Sequence, residues 1–129
     1  MPMPGAEAHY SAHNIEERIL SELRAAGLDP DDRPAPEELA ALDHFHTGGL
    51  RASLELLELA KFGAADRILD IGAGLAARTG CRVACVELSA DNCAGAALLN
   101  RLTGLQDRIK VHWCSALDLP FADASFDGA

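Results

Sequence analysis

Two periodicities divide this chain. From Asn14 to Ala26 the apolar residues Ile15, Ile19 and Leu23 recur every four positions, which lays a stripe along one face of a helix. Asn14 with Glu17 has the form of a capping pair at its start, and Gly27 closes it. LDPDDRPAPEE, Leu28 to Glu38, carries three prolines and three aspartates, which favour turns and remove backbone donors, so it reads as a linker or surface loop. Glu37 to Asp43 predicts a short helix. Leu50 to Phe62 predicts a longer one, with Leu50, Leu54 and Leu57 on one face and Gly63 at its end.

Beyond Gly63 the pattern shortens to three β-rich runs, ILDI, RVACVEL and IKVHW. Between the last two, Ser89 to Leu102 begins with a good N-cap serine, carries Cys93, Ala97 and Leu98 as apolar positions, and is followed by Thr103 and Gly104. Strands alternating with helices imply a parallel sheet with helices on its faces. SFDGA at Ser125 to Ala129 reads as the opening of a further strand.

Composition narrows what such a unit can do. A chain of 129 residues, 49% hydrophobic, supports one core. Its net charge of −9 argues against nucleic acid and anionic membrane surfaces as partners, and favours a small neutral or cationic ligand. MPMPGAEAHY lacks the basic flank and apolar run of a secretory leader, and no stretch has the apolar length of a membrane span. Cys81, Cys85, Cys93 and Cys114 lack paired C-x-x-C spacing, so no metal site is expected. They read as free thiols of a cytoplasmic protein. Cys81 and Cys85, four apart, are placed on the same side of their strand.

The chemistry concentrates where ILDI runs into glycine. In a parallel sheet, ligands sit beyond the carboxyl ends of the strands, and Gly72 and Gly74 occupy that place. Glu87 closes the next strand, where a carboxylate can accept both hydroxyl protons of a ribose. The plain alternative is a buried strand with an ordinary glycine turn and a surface Glu87. A dinucleotide site needs a third glycine, and that position is Ala77. Asp70 at the strand end also speaks against a nicotinamide site.

LDIGAG at Leu69 to Gly74 resembles the first motif of the class I S-adenosylmethionine-dependent methyltransferases, and VEL at Val86 to Leu88 and ALDLPFADASFD at Ala116 to Asp127 follow in the family's order. DHFHTGGLRASLELLELA, Asp43 to Ala60, is similar to the segment before the sheet in the glycine, sarcosine and dimethylglycine N-methyltransferase group. The resemblance implies an α/β fold, a Rossmann-like parallel sheet present as its N-terminal half. Residues 1–63 would form a helical cap and 64–129 a partial S-adenosylmethionine-binding domain. It further implies that Asp70, Gly72 and Gly74 line the methionine portion of the cofactor, that Glu87 binds the ribose, and that Leu88 packs on the adenine. The family's G-D-A falls on Cys114, Ser115 and Ala116, so Ser115 stands where a carboxylate is usual. Asp127 takes a structural place, and no catalytic residue is assigned. The partner implied is a small-molecule methyl acceptor, a glycine-type amine within the subgroup.

Other features divide between roles. His44, His46, Thr47, Gly48 and Gly49 either close over the cofactor or substrate or simply join two helices. His9, Tyr10 and His13 read as a solvated segment, and Trp113 as core rather than a stacking platform.

The spacing departs from the family. Gly72 and Glu87 lie 15 positions apart, against about 20 for the nucleotide-binding layout. A helix returning along a five-residue strand needs about eleven residues, and only five stand between Gly74 and Gly80. The expectation is a missing segment after Leu75 and a missing C-terminal half. The competing reading is a non-catalytic remnant or interaction module.

Overall fold

The structure, a computed structural model, describes residues 14–35, 38, 49–71 and 80–129. In chain order these form helix α1 (Ile15–Ala25), a 3-10 turn (Pro30–Asp32), helix α2 (Gly49–Ala60), strands β1 (Arg67–Ile71) and β2 (Arg82–Glu87), helix α3 (Ala90–Leu102) and strand β3 (Ile109–Trp113). The short helix expected at Glu37 to Asp43 lies outside the described residues, apart from Glu38, which sits in a turn.

The three β-rich runs pair in the order β1-β2-β3, all parallel, from Arg67 opposite Arg82 to Ile71 opposite Val86, and from Val83 opposite Ile109 to Glu87 opposite Trp113. β1 buries two consecutive residues, Ile68 and Leu69, as a strand covered on both faces does. After β3 the chain returns to the far side of β1, where Gly128 bridges Ile68 in parallel. Leu69 N donates to Gly128 O at 3.0 Å and Asp127 N to Arg67 O at 2.8 Å. The Asp127 carboxylate accepts from Arg67 N at 2.8 Å. Asp127 therefore holds the new strand in register. The order of pairing reverses at β1, and in open α/β sheets the crevice beyond the carboxyl ends at such a reversal is where ligands bind.

One sheet face buries Ile68, Val83 and Cys85, together with Cys81 just before β2, against Phe62, Ile109 and Val111. A second cluster joins α1 to α3 through Ile19, Leu23 and Leu98, flanked by Ile15, Leu28 and Leu102. Each such side chain stabilises the fold by about 1.5–3 kcal/mol when fully buried. Gly95 lets the helices approach: a Cβ there would lie 3.1 Å from Ile15 Cδ1 and 3.3 Å from Ile19 Cδ1. Both helices end on a left-handed glycine, Gly27 at φ 77° and Gly104 at φ 73°. Leu28 N then donates to Leu23 O at 3.0 Å and Leu105 N to Asn100 O at 2.8 Å, satisfying carbonyls that the helix itself cannot.

Two helix boundaries differ from expectation. Asn14 adopts φ 65° and its side chain makes no cap hydrogen bond, because an N-cap side chain reaches the first-turn amides from the extended region. α2 stops not at Gly63 but two residues earlier, where Lys61 takes φ 54°. On α2, Leu54, Leu56 and Leu59 are exposed, and Leu57 is half-buried. No helix among the described residues is long and apolar enough to cross a membrane.

Candidate functional site

The parallel register brings the carboxyl ends of all three strands to one edge. Asp70, half-buried, is the penultimate residue of β1, and Gly72 and Gly74, which follow it, lie outside the described residues. Glu87 is the last residue of β2, level with Trp113 at the end of β3. Leu88 follows Glu87, and Ser115 and Ala116 follow β3. Of the residues singled out from sequence, Asp70, Glu87, Leu88, Ser115 and Ala116 thus share this edge. DHFHTGG, Asp43 to Gly49, lies outside the described residues but for the backbone of Gly49.

Glu87 is held by its own turn. Its Oε1 accepts from Leu88 N at 3.0 Å and Ser89 N at 3.2 Å. A carboxylate offers about four lone-pair positions, so Oε2 keeps the capacity to accept two hydroxyls. The turn itself is fixed by Ser89, fully buried, whose Oγ accepts from Asn92 N at 3.3 Å and caps α3. The start of α3 adds positive potential beside the carboxylate.

Trp113 is not core. It is 62% exposed, and its indole Nε1 donates to Leu88 O at 2.9 Å. As the last residue of β3 it projects past the layer that the helices cover, so it braces the Glu87–Leu88 turn from outside. Its place level with Glu87 was the signal for this, and only the register supplies it.

After β3 the chain turns tightly. Ser115 Oγ accepts from Leu117 N at 3.1 Å, and Ser115 O accepts from Asp118 N at 3.1 Å. The hydroxyl retains its proton to donate and a second lone pair to accept. Two thiols line the back of this edge. Burial, then the nearby Glu87 and Cys114, pushes the Cys93 thiol up to about 11. Burial, then Asp118, also raises Cys114. Both therefore stay neutral at physiological pH and place no second charge beside Glu87. Cys93 and Cys114 are free thiols, and no cluster of His, Cys, Asp and Glu among the described residues could hold a metal ion.

An open parallel sheet whose strand order reverses beside an acidic strand end is a Rossmann-like nucleotide-binding arrangement. Residues 69–129 match a family model described as a methyltransferase domain. Methyltransferase GfsG of Streptomyces halstedii is 32% identical over 95 residues, covering 68% of this chain and 34% of that protein. Geranyl diphosphate C-methyltransferase from Streptomyces coelicolor A3(2), solved with Mg2+, geranyl diphosphate and S-adenosyl-L-homocysteine, is 26% identical with a TM-score of 0.52, covering 67% of this chain and 34% of that one. The cyclase SpnF shares the fold at 23% identity and a TM-score of 0.57, over 84% of this chain and 44% of that one. These likenesses support a class I S-adenosylmethionine-dependent methyltransferase. The chain spans 34% and 41% of the lengths of the curated relatives it matches.

Proposed function

We propose that this chain is the cofactor-binding N-terminal part of an S-adenosylmethionine-dependent methyltransferase acting on a small molecule. The observation that carries the reading is the β2 carboxyl end, where Glu87 is oriented through Oε1 with Oε2 left to accept the two ribose hydroxyls. Leu88 packs on the adenine, and Ser115 meets its edge through the hydroxyl in place of the usual carboxylate. Asp70 with Gly72 and Gly74 serves the methionine portion. When bound, the cofactor supplies a methyl group already activated on a sulfonium. The protein's part is then to orient the nucleoside and exclude water, with no covalent enzyme intermediate.

A small-molecule acceptor is supported by the solved C-methyltransferase relative, whose substrate is geranyl diphosphate. The likeness of Asp43 to Ala60 to the glycine-type N-methyltransferases makes an amine the specific acceptor we propose. Titrating the chain with S-adenosylmethionine in a calorimeter tests the cofactor reading. Saturable binding that Glu87→Ala weakens by about tenfold or more is expected, as loss of charge-assisted hydrogen bonds worth about 1.5–3 kcal/mol requires.

The second reading, a remnant that binds no cofactor, is favoured by the ten residues that join β1 to β2. A parallel crossover usually takes a dozen or more, and the amides of a full helix there would meet the cofactor's carboxylate. No heat on titration would select this reading.

A further inference from the structure

One sheet face carries a cavity of about 280 Å³ that runs from the amino ends of the strands to His112, the penultimate residue of β3. Arg67, Arg82, Arg108 and Lys110 line it beside a wall of Phe121 and Phe126, and Asp107 is the single carboxylate in the lining. Four of the chain's 11 Lys and Arg thus gather in one place on a protein of net charge −9. The register shows how. Arg67 lies directly opposite Arg82, and Lys110 opposite Ala84, two residues along β2, which puts Arg67, Arg82 and Lys110 on one sheet face.

Like charges side by side on a sheet repel one another, and no ion pair among the described residues involves any of these four. Neutral groups position three of them instead. The Arg67 guanidinium sits 5.6 Å over the Phe126 ring. Arg108 Nη1 donates to Gly80 O at 3.0 Å, and Lys110 Nζ donates to Gln106 O at 2.9 Å. The Phe126 ring is itself fixed edge-on to Phe121, and Phe121 to His112, each at 5.0 Å. These contacts orient the cations without neutralising them, and most of their N–H donors remain available.

We propose that this cavity binds a small phosphorylated molecule carrying at least two negative charges. Arginine's planar fork matches phosphate oxygens in pairs, and the ligand relieves the repulsion between Arg67 and Arg82. The site is a single pocket rather than a basic stripe, and the acidic remainder of the chain repels a long polyanion, so the ligand is a small molecule rather than nucleic acid. Arg67, Arg82 and Arg108 stand at the amino ends of the strands, away from Glu87, and the proposal stands independently of the cofactor reading.

Titration with pyrophosphate in a calorimeter at low ionic strength tests it. One site per chain is expected, weakened about tenfold or more by Arg82→Ala combined with Lys110→Ala, and weakened as salt rises. Asp107→Asn, which removes only the carboxylate and disturbs no positioning contact, should tighten binding by about threefold. Circular dichroism checks that the double variant is folded. If it is not, the Asp107→Asn result decides alone. No saturable heat with the unaltered chain, equal affinity in the folded double variant, or weaker binding to Asp107→Asn would overturn the proposal. So would a single-stranded oligonucleotide that binds more tightly than pyrophosphate.

Discussion

The two crossovers of this sheet connect ladders of equal length with very different amounts of chain. Ten residues, 72–81, run from β1 to β2, and twenty-one, 88–108, from β2 to β3. The longer one contains α3, with a serine cap at its start, a left-handed glycine at its end, and α1 packed on its outer side. The shorter one also nears its end on a left-handed glycine, Gly80 at φ 77°, but it has too few residues for a helix of that length. A helix spanning a five-residue strand needs about eleven residues, before any turn at either end. The difference teaches that a parallel ladder can be held by its core and its hydrogen bonds even where the connection between two of its strands is too short for a helix of their length.

The largest expected effect comes from separating α3 from its support. Leu23 is fully buried between α1 and α3, so Leu23→Ala should cost about 2–5 kcal/mol, read as a fall in the urea midpoint. An unchanged midpoint would mean that the long crossover stands without α1. Lengthening the short crossover makes the converse test. About seven helix-forming residues inserted after Leu75 should raise affinity for S-adenosylmethionine by about tenfold, measured by calorimetry, because first-turn amides become available to the carboxylate. Unchanged affinity would show that the short connection is not what limits binding.

Smaller effects report on the edge between the crossovers. Ser89→Ala removes the α3 cap and should cost about 1 kcal/mol in a denaturant melt, with Glu87 losing part of its orientation. Cys93 supplies a pH signature. Its folded value of about 11 lies above the ordinary 9.0, so the stability it contributes is complete below pH 9.0 and is lost as pH rises through about 11. At about pH 8 the thiolate fraction is smaller than that of an ordinary thiol by about a hundredfold, and alkylation followed by mass spectrometry should be slowed to match. Rapid alkylation of Cys93 in the folded chain would place the thiol away from its half-buried position beside Glu87.

Much of this was legible from one dimension. The four-residue stripe of Ile15, Ile19 and Leu23 predicted a helix whose buried residues are Ile19 and Leu23. The three β-rich runs became three parallel strands, and Ser89 capped its helix as its residue type and position required. Where the reading went astray, the deciding partner was distant or the local geometry offered equal alternatives. Asn14 had the form of a cap and took a left-handed conformation instead. Trp113 looked like core by residue type, yet the sheet ended beside it and left it exposed. Nothing local marked Gly95 as the point where α1 presses two isoleucines against α3.

The sequence by itself determined the elements, their order, and the chemical character of Asp70, Glu87 and Ser115, because hydrophobic period, capping chemistry and side-chain type are local properties. Only the tertiary structure decided that Glu87 and Trp113 stand level, that pairing reverses at β1 through Gly128, and that Arg67, Arg82, Arg108 and Lys110 converge in one cavity of an acidic chain. Those facts depend on strand register and on which strand lies next to which. Register and adjacency follow from long-range hydrogen bonding and burial, which join residues as far apart as Arg67 and Asp127 and leave no periodic trace along the chain.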